Sequence, residues 1–205
     1  REDLSGEELG TGSMEPDIPL KTSKDVEGIR NSCRIAAEIL RSVAAHVKVG
    51  MSARELDRIA AALMRQFGVQ PGVSPGFPGS ICVSLNDVAA HGVPGREKLA
   101  GGDIVTIDVA VLSGGWHGDV AATYAVGEPS SEKRLLLETT RCALAAALEV
   151  ARAGARMGDL GAAVLDIAES QGFAVLAEFV GHGIGRELHE EPVVPHIGNR
   201  GEGPP

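Results

Sequence analysis

Two aspartates and three histidines are the residues of this chain whose types and settings could do chemistry. Asp108 lies within TIDVAV and Asp119 within HGDVAA, two apolar runs that flank a Ser113-Gly114-Gly115 break. Asp is depleted in strand interiors because it adds nothing to apolar packing and competes for backbone hydrogen bonds. Burying one carboxylate is costly. Burying two side by side forces one to hold a proton unless a cation supplies the opposite charge. His182 is framed by glycines in GHGIG, which lets a backbone or a ligand come close. His189 follows seven residues later in LHEEP, and His91 opens the turn HGVP. Two strand-borne carboxylates with a glycine-framed imidazole suit a hydrolytic metal centre. None of these histidines has HExxH spacing, and GHGIG has neither the order of GxGxxG nor a P-loop lysine.

Whether the carboxylates meet depends on the turn between them. β-branched residues on both sides of a glycine break predict a β-hairpin. A two-residue turn at Gly114-Gly115 pairs Ser113 with Trp116, sets Asp108 opposite Ala121, and puts Asp108 on the face of Asp119. A four-residue connection keeps that parity, whereas a three-residue loop sends the carboxylates to opposite faces. An edge hairpin carrying inward charges against aggregation is the alternative to a metal site at this point.

The elements that must position these residues follow from periodicity. Val26, Ile29, Cys33, Ala36, Leu40, Val43 and Val47 predict a helix over 23–47. Ser52-Ala53-Arg54-Glu55 is a capping box that starts a second helix, with Leu56, Ile59, Ala60, Leu63 and Phe67 inward and Gly68 as its C-terminal cap. A Pro/Gly-rich loop over 71–80 leads into a strand over 81–87. After the hairpin, helices are expected over 131–151, with Leu135, Cys142, Leu144, Ala147, Leu148 and Ala151 inward, and over 159–171, with Leu160, Val164 and Ile167 inward. FAVLAEFV, 173–180, reads as a strand running into GHGIG. The two helix pairs repeat each other. Gly50 and Gly154, Leu56 and Leu160, Leu63 and Ile167, and Gly68 and Gly172 each stand 104 residues apart, which points to duplication.

Composition narrows the class. With 205 residues, 43% hydrophobic, and a mean hydropathy of +0.05, the chain is core-forming. A net charge of -9 argues against nucleic acid or an anionic membrane as the main partner. Cys33, Cys82 and Cys142 show no CxxC spacing and read as reduced thiols of a cytoplasmic protein. Residues 1–13 read as a vector-derived remnant within an N-terminal segment, 1–20, ahead of a natural start at Met14.

As a set and in order, AHGVP, TIDVAV, HGDVAA, GHGIG and LHEEP resemble the bacterial type I methionine aminopeptidases, from about Lys21 onward. The resemblance implies an α+β, pita-bread fold: one domain over 21–205, in two pseudo-twofold-related αβ halves, about 21–128 and 129–205, around an antiparallel sheet. It implies two divalent metal ions, of Co, Mn, Fe or Zn, held by Asp108, Asp119 and His182, with Asp119 bridging. It implies that His91 contacts the amide at the scissile bond and that His189 hydrogen-bonds the carbonyl oxygen as it gains charge. Phe77 and Cys82 would line the methionine pocket. Leu188 stands where an aromatic is common and the loop before Phe77 is one residue longer, so the pocket's shape departs from the family's.

The implied reaction is removal of the N-terminal methionine from nascent proteins and peptides by a cytoplasmic monomer, with the ribosome as a candidate partner. The rivals are an X-Pro aminopeptidase or prolidase, which usually carries an extra N-terminal domain, and a non-catalytic binding module of the same fold. The repeat offset carried forward from Asp108 passes the last residue, Pro205. The family's remaining two ligands, glutamates on late strands, are therefore expected to be missing from these residues, leaving the second half incomplete and, alone, inactive.

Overall fold

Thr22 opens the first helix by accepting from the Asp25 amide, while Asp25 accepts from the Thr22 amide at 2.9 Å. The computed structural model describes residues 18–205, so the expected remnant over 1–13 and the start at Met14 lie outside the described residues. The helix, α1, runs Ser23–Ala44 and ends three residues before the expected boundary. The capping box at Ser52 and Glu55 is present, with the Glu55 carboxylate 2.8 Å from the Ser52 amide. It starts α2, Ala53–Phe67, which closes on Gly68 in the left-handed region as expected.

Four strands follow the helix pair: β1 Gln70–Pro71, β2 Cys82–Leu85, β3 Ile104–Ser113 and β4 Trp116–Ala125. β3 is central, with β4 along one edge and β1 and β2 sharing the other, all antiparallel. Gly114 and Gly115 both have positive φ, and Ser113 pairs with Trp116, so the turn is the two-residue one. Alternation along β3 then decides everything about this sheet. Val105, Ile107, Val109 and Val111 are completely buried in one core with Ile39, Val43, Leu56 and Met64 of α1 and α2. Each such side chain contributes about 1.5–3 kcal/mol. The opposite face carries Thr106, Asp108 and Ala110. At Gly118 of β4 the backbone of α1 comes so close that a Cβ would overlap Ser32 and Cys33.

The second half begins with α3 Ser131–Val150 and α4 Met157–Ser170, followed by β5 Gly181–Gly183 and β6 Glu190–Val194, an antiparallel pair. The duplication is visible in the caps. The Asp159 carboxylate takes the Arg156 amide at 2.7 Å, as Glu55 takes Ser52, and Gly172, like Gly68, has positive φ. Among the described residues, no helix is long and apolar enough to cross a membrane.

Two expectations fail here. The strand over 173–180 is absent, because no neighbouring strand among the described residues pairs with its backbone, and only Gly181–Gly183 is extended and paired. The inward face of α3 is also different. Leu135, Leu144 and Leu148 are 41%, 59% and 66% exposed and Cys142 and Ala151 are exposed, while Thr139 and Ala143 are buried. α3 packs against α4, whose buried residues include Ala162 and Ala163, while Gly161 of α4 faces the Ile197–Gly198 backbone instead. Helical periodicity marks apolar faces without saying which one a neighbour will cover.

Candidate metal centre

The site lies on the sheet face turned away from α1 and α2. Register puts Cys82, Asp108 and Ala121 side by side across three strands, with Asp119 one step along β4. Asp57 of α2 fixes the entry to this row by accepting the amides of Ser80 at 2.6 Å and Ile81 at 3.2 Å. From the second half, β5 brings His182 to Asp119, Nε2 to Oδ2 3.5 Å. The His189 ring meets that of His182 edge-on, centroids 4.3 Å apart. Asp108, Asp119, His182 and His189 are thus brought together from both halves of the chain.

His91 stands at the rim, exposed, with φ +56, a conformation unusual for a residue other than glycine. The turn is pinned to β2: Gly92 donates to Ser84 Oγ at 3.0 Å and its carbonyl accepts from Val83 at 2.9 Å. The His91 ring is 6.2 Å from that of Phe179. Cys82 is buried beside Asp108. Phe77 is half-buried in the loop between β1 and β2, where its amide closes a turn on Ser74.

Electrostatics mark the site as incomplete without a cation. Burial, then the Asp119 charge, push Asp108 up to about 7, against the pull of His182. One oxygen of Asp119, Oδ1, is buried with no hydrogen-bond partner. His182 Nδ1 lies 2.9 Å from the Gly183 carbonyl, which orients the ring so that Nε2 faces the Asp119 carboxylate. Two crowded, buried carboxylates repel each other, and a divalent ion relieves that conflict. The types of donor present fit a metal, although among the described residues no three His, Cys, Asp or Glu stand close enough together to hold an ion as they are. Burial, then Asp108 and Asp119, raise the Cys82 thiol to about 11, so it stays protonated and serves as lining, not as a nucleophile. Desolvation and the adjacent His182 lower His189, favouring its neutral form.

Sequence reasoning passed over His117. It shares the β4 face of Asp119, and its Nδ1 is buried without a partner. The signal was available, since HGDVAA places it two residues from Asp119 on an alternating strand.

Comparison with known proteins agrees with this arrangement. Residues 27–204 match the model of metallopeptidase family M24. Methionine aminopeptidase 1 of Bacillus subtilis is 40% identical over 91% of this chain and 76% of its own length. The methionine aminopeptidase of Escherichia coli K12 is 41% identical over 89% and 71%. Among solved structures, the methionine aminopeptidase of Rickettsia prowazekii superposes with a TM-score of 0.88 at 36% identity, over 91% of this chain and 76% of that one. The prolidase of Pyrococcus furiosus gives 0.75 at 25%, over 86% and 52%. These neighbours have the pita-bread fold, which accounts for the paired helix–helix–strand halves. The chain spans roughly three quarters of the length of its methionine aminopeptidase relatives and belongs to metallopeptidase family M24.

Proposed function

We propose that this chain is a metal-dependent aminopeptidase that hydrolyses the first peptide bond and releases the N-terminal methionine of nascent proteins and peptides. The observation that carries the reading is that Asp108 and Asp119 share one sheet face, where the two carboxylates crowd each other, and that His182 is brought to Asp119 from the second half. Identity is also higher, and coverage fuller, to the methionine aminopeptidases than to the prolidase.

Asp108, Asp119 and His182 would hold two divalent ions of the Co, Mn, Fe or Zn class. When bound, these ions supply Lewis-acid polarisation of the scissile carbonyl and make the attacking water more acidic. Three side chains leave two ions short of their usual coordination, so further donors complete the shell. His189, neutral and beside His182, donates a hydrogen bond to the carbonyl oxygen as it gains charge. His91, held at the rim by a strained backbone, orients the amide at the scissile bond. Cys82, protonated and buried, and Phe77 give the methionine side chain an uncharged wall. On this reading the enzyme meets nascent chains in the cytoplasm as a monomer, with the ribosome as candidate partner.

The test is hydrolysis by the full-length protein, supplied with Co²⁺ or Mn²⁺, of a Met-Gly-x peptide against an x-Pro peptide. Methionine release from the first alone is expected. Cleavage confined to x-Pro, or binding of the Met peptide without turnover, would overturn the proposal in favour of a prolidase or a binding module.

A further inference from the structure

His182 and His189 belong to the second half of the chain and Asp119 to the first. The short β5–β6 pair does not by itself fix where the imidazoles stand relative to β4. The segment between them, Gly185–Glu190, reaches across to the hairpin tip instead. Arg186 lays its guanidinium over the Trp116 ring, Cζ 3.7 Å from the centroid, and its Nη1 donates to the Gly115 carbonyl at 3.1 Å. Trp116 is itself held from α1. Its ring is pressed against Gly28, where a Cβ would collide with it, and Ser32 Oγ donates to its carbonyl at 2.9 Å. Next to this contact the His117 amide donates to the Gly185 carbonyl at 2.8 Å. At the other end of the segment, Glu190 forms an ion pair with Lys21, just ahead of α1, with both side chains largely buried. Glu190 Oε1 also accepts the Glu187 amide at 3.1 Å. This carboxylate neighbours His189 in sequence, yet it is occupied by Lys21 and a backbone amide.

We propose that Arg186 and Glu190 are positioning residues: together with Trp116 and Lys21 they form a two-point latch that holds the His182–His189 segment against the first half and sets the approach of His182 to Asp119. The proposal rests on the reading above for the roles of the two imidazoles. The latch acts through geometry. None of its four side chains touches the carboxylate row. An exposed Arg over a half-buried aromatic contributes only about 0.5–1 kcal/mol, too little to decide whether the domain folds. A displacement of the segment moves both imidazoles at once, because they face each other edge-on.

The experiment uses the full-length, metal-loaded protein with Arg186→Ala, Arg186→Lys and Lys21→Gln, the charge exchange Lys21→Glu/Glu190→Lys, and Arg30→Ala as control. Arg30 pairs with Glu27 on the open surface of α1, remote in role from the latch. Arg186→Ala and Lys21→Gln are each expected to lower kcat on a Met-Gly-x peptide about 10- to 100-fold, with KM within about twofold, as loss of outer-shell support does. The charge exchange should recover most of the Lys21→Gln loss. In the metal-free protein, the ring-proton NMR signals of His182 and His189 should shift or broaden in the latch variants, while those of His46, in the turn after α1, stay in place. If Arg186→Ala does not fold, Arg186→Lys carries the test, since it keeps the charge at an exposed position and loses the stacking plane. Folded latch variants with unmoved His182 and His189 signals and unchanged kcat would overturn the latch, as would an equal fall in Arg30→Ala. Absence of methionine release by the unaltered protein would count against the proposed function, while the NMR comparison still decides for or against the latch.

Discussion

Replacing Asp108 by Asn should make the metal-free protein more stable at neutral to alkaline pH and worthless as a metal site. The sign follows from the raised folded-state value. An ordinary carboxyl titrates near 3.8, and burial with the Asp119 charge lifts this one to about 7. Below the ordinary value both states hold the proton and nothing is lost. Between the two values the unfolded chain releases its proton while the folded one keeps it, so stability falls as pH rises, and the loss is complete above about 7. A difference of about three pH units at 1.36 kcal/mol each corresponds to about 4 kcal/mol. Part of it belongs to Asp119, with which Asp108 shares the site, so about 2 kcal/mol is the expected gain for the isosteric amide at about pH 8. For a chain of this size that is about 4–8 °C in Tm. The assay is urea unfolding in EDTA, run for both proteins at about pH 3 and about pH 8, where the gain should vanish and appear in turn. With divalent ion at about 100 times Kd the order should reverse, since binding then stabilises the unaltered protein by about 2.7 kcal/mol and the Asn variant by less. An Asn variant less stable than the parent at the higher pH in EDTA, or one whose gain is the same at both pH values, would refute the reasoning.

Three further outcomes are expected. His91→Ala should lower kcat on a Met-Gly-x peptide by about 10²–10⁴-fold with Tm scarcely changed, because the side chain is exposed and its backbone strained; unchanged turnover would remove its role. Gly118→Ala should cost about 1–3 kcal/mol in urea unfolding, since the added methyl overlaps the Ser32–Cys33 backbone and α1 must move off β4. Ser52→Ala should cost about 1 kcal/mol by removing the hydroxyl of the α2 capping box, and a variant of unchanged midpoint would show that Lys98 and Glu55 hold that helix start without it.

Much of the first half was legible in the sequence because the signals are local. A capping box names its own helix start, as Ser52 and Glu55 do, and the glycine break named the hairpin and the parity on which Asp108 and Asp119 depend, which the observed Ser113–Trp116 pairing then settled. Periodicity marked the second helix pair and the 104-residue repeat matched its closing Gly172, whereas the start of α4 at Met157 fell two residues before the expected one. Motif order gave the family, and family comparison agrees with it. What only the tertiary structure decided involves partners distant in the chain. A strand exists by pairing, so the apolar run over 173–180 could not become one without a neighbour, whatever its composition. A helix with apolar residues on more than one face buries the face its neighbours cover, and on α3 that face carries Thr139 and Ala143 and not the leucines. The approach of His182 to Asp119, the unpartnered nitrogen of His117, and the grip of Arg186 on Trp116 join segments from opposite ends of the chain. Spacing carries no record of such contacts, because they are fixed by how the two halves pack and not by any one stretch of sequence.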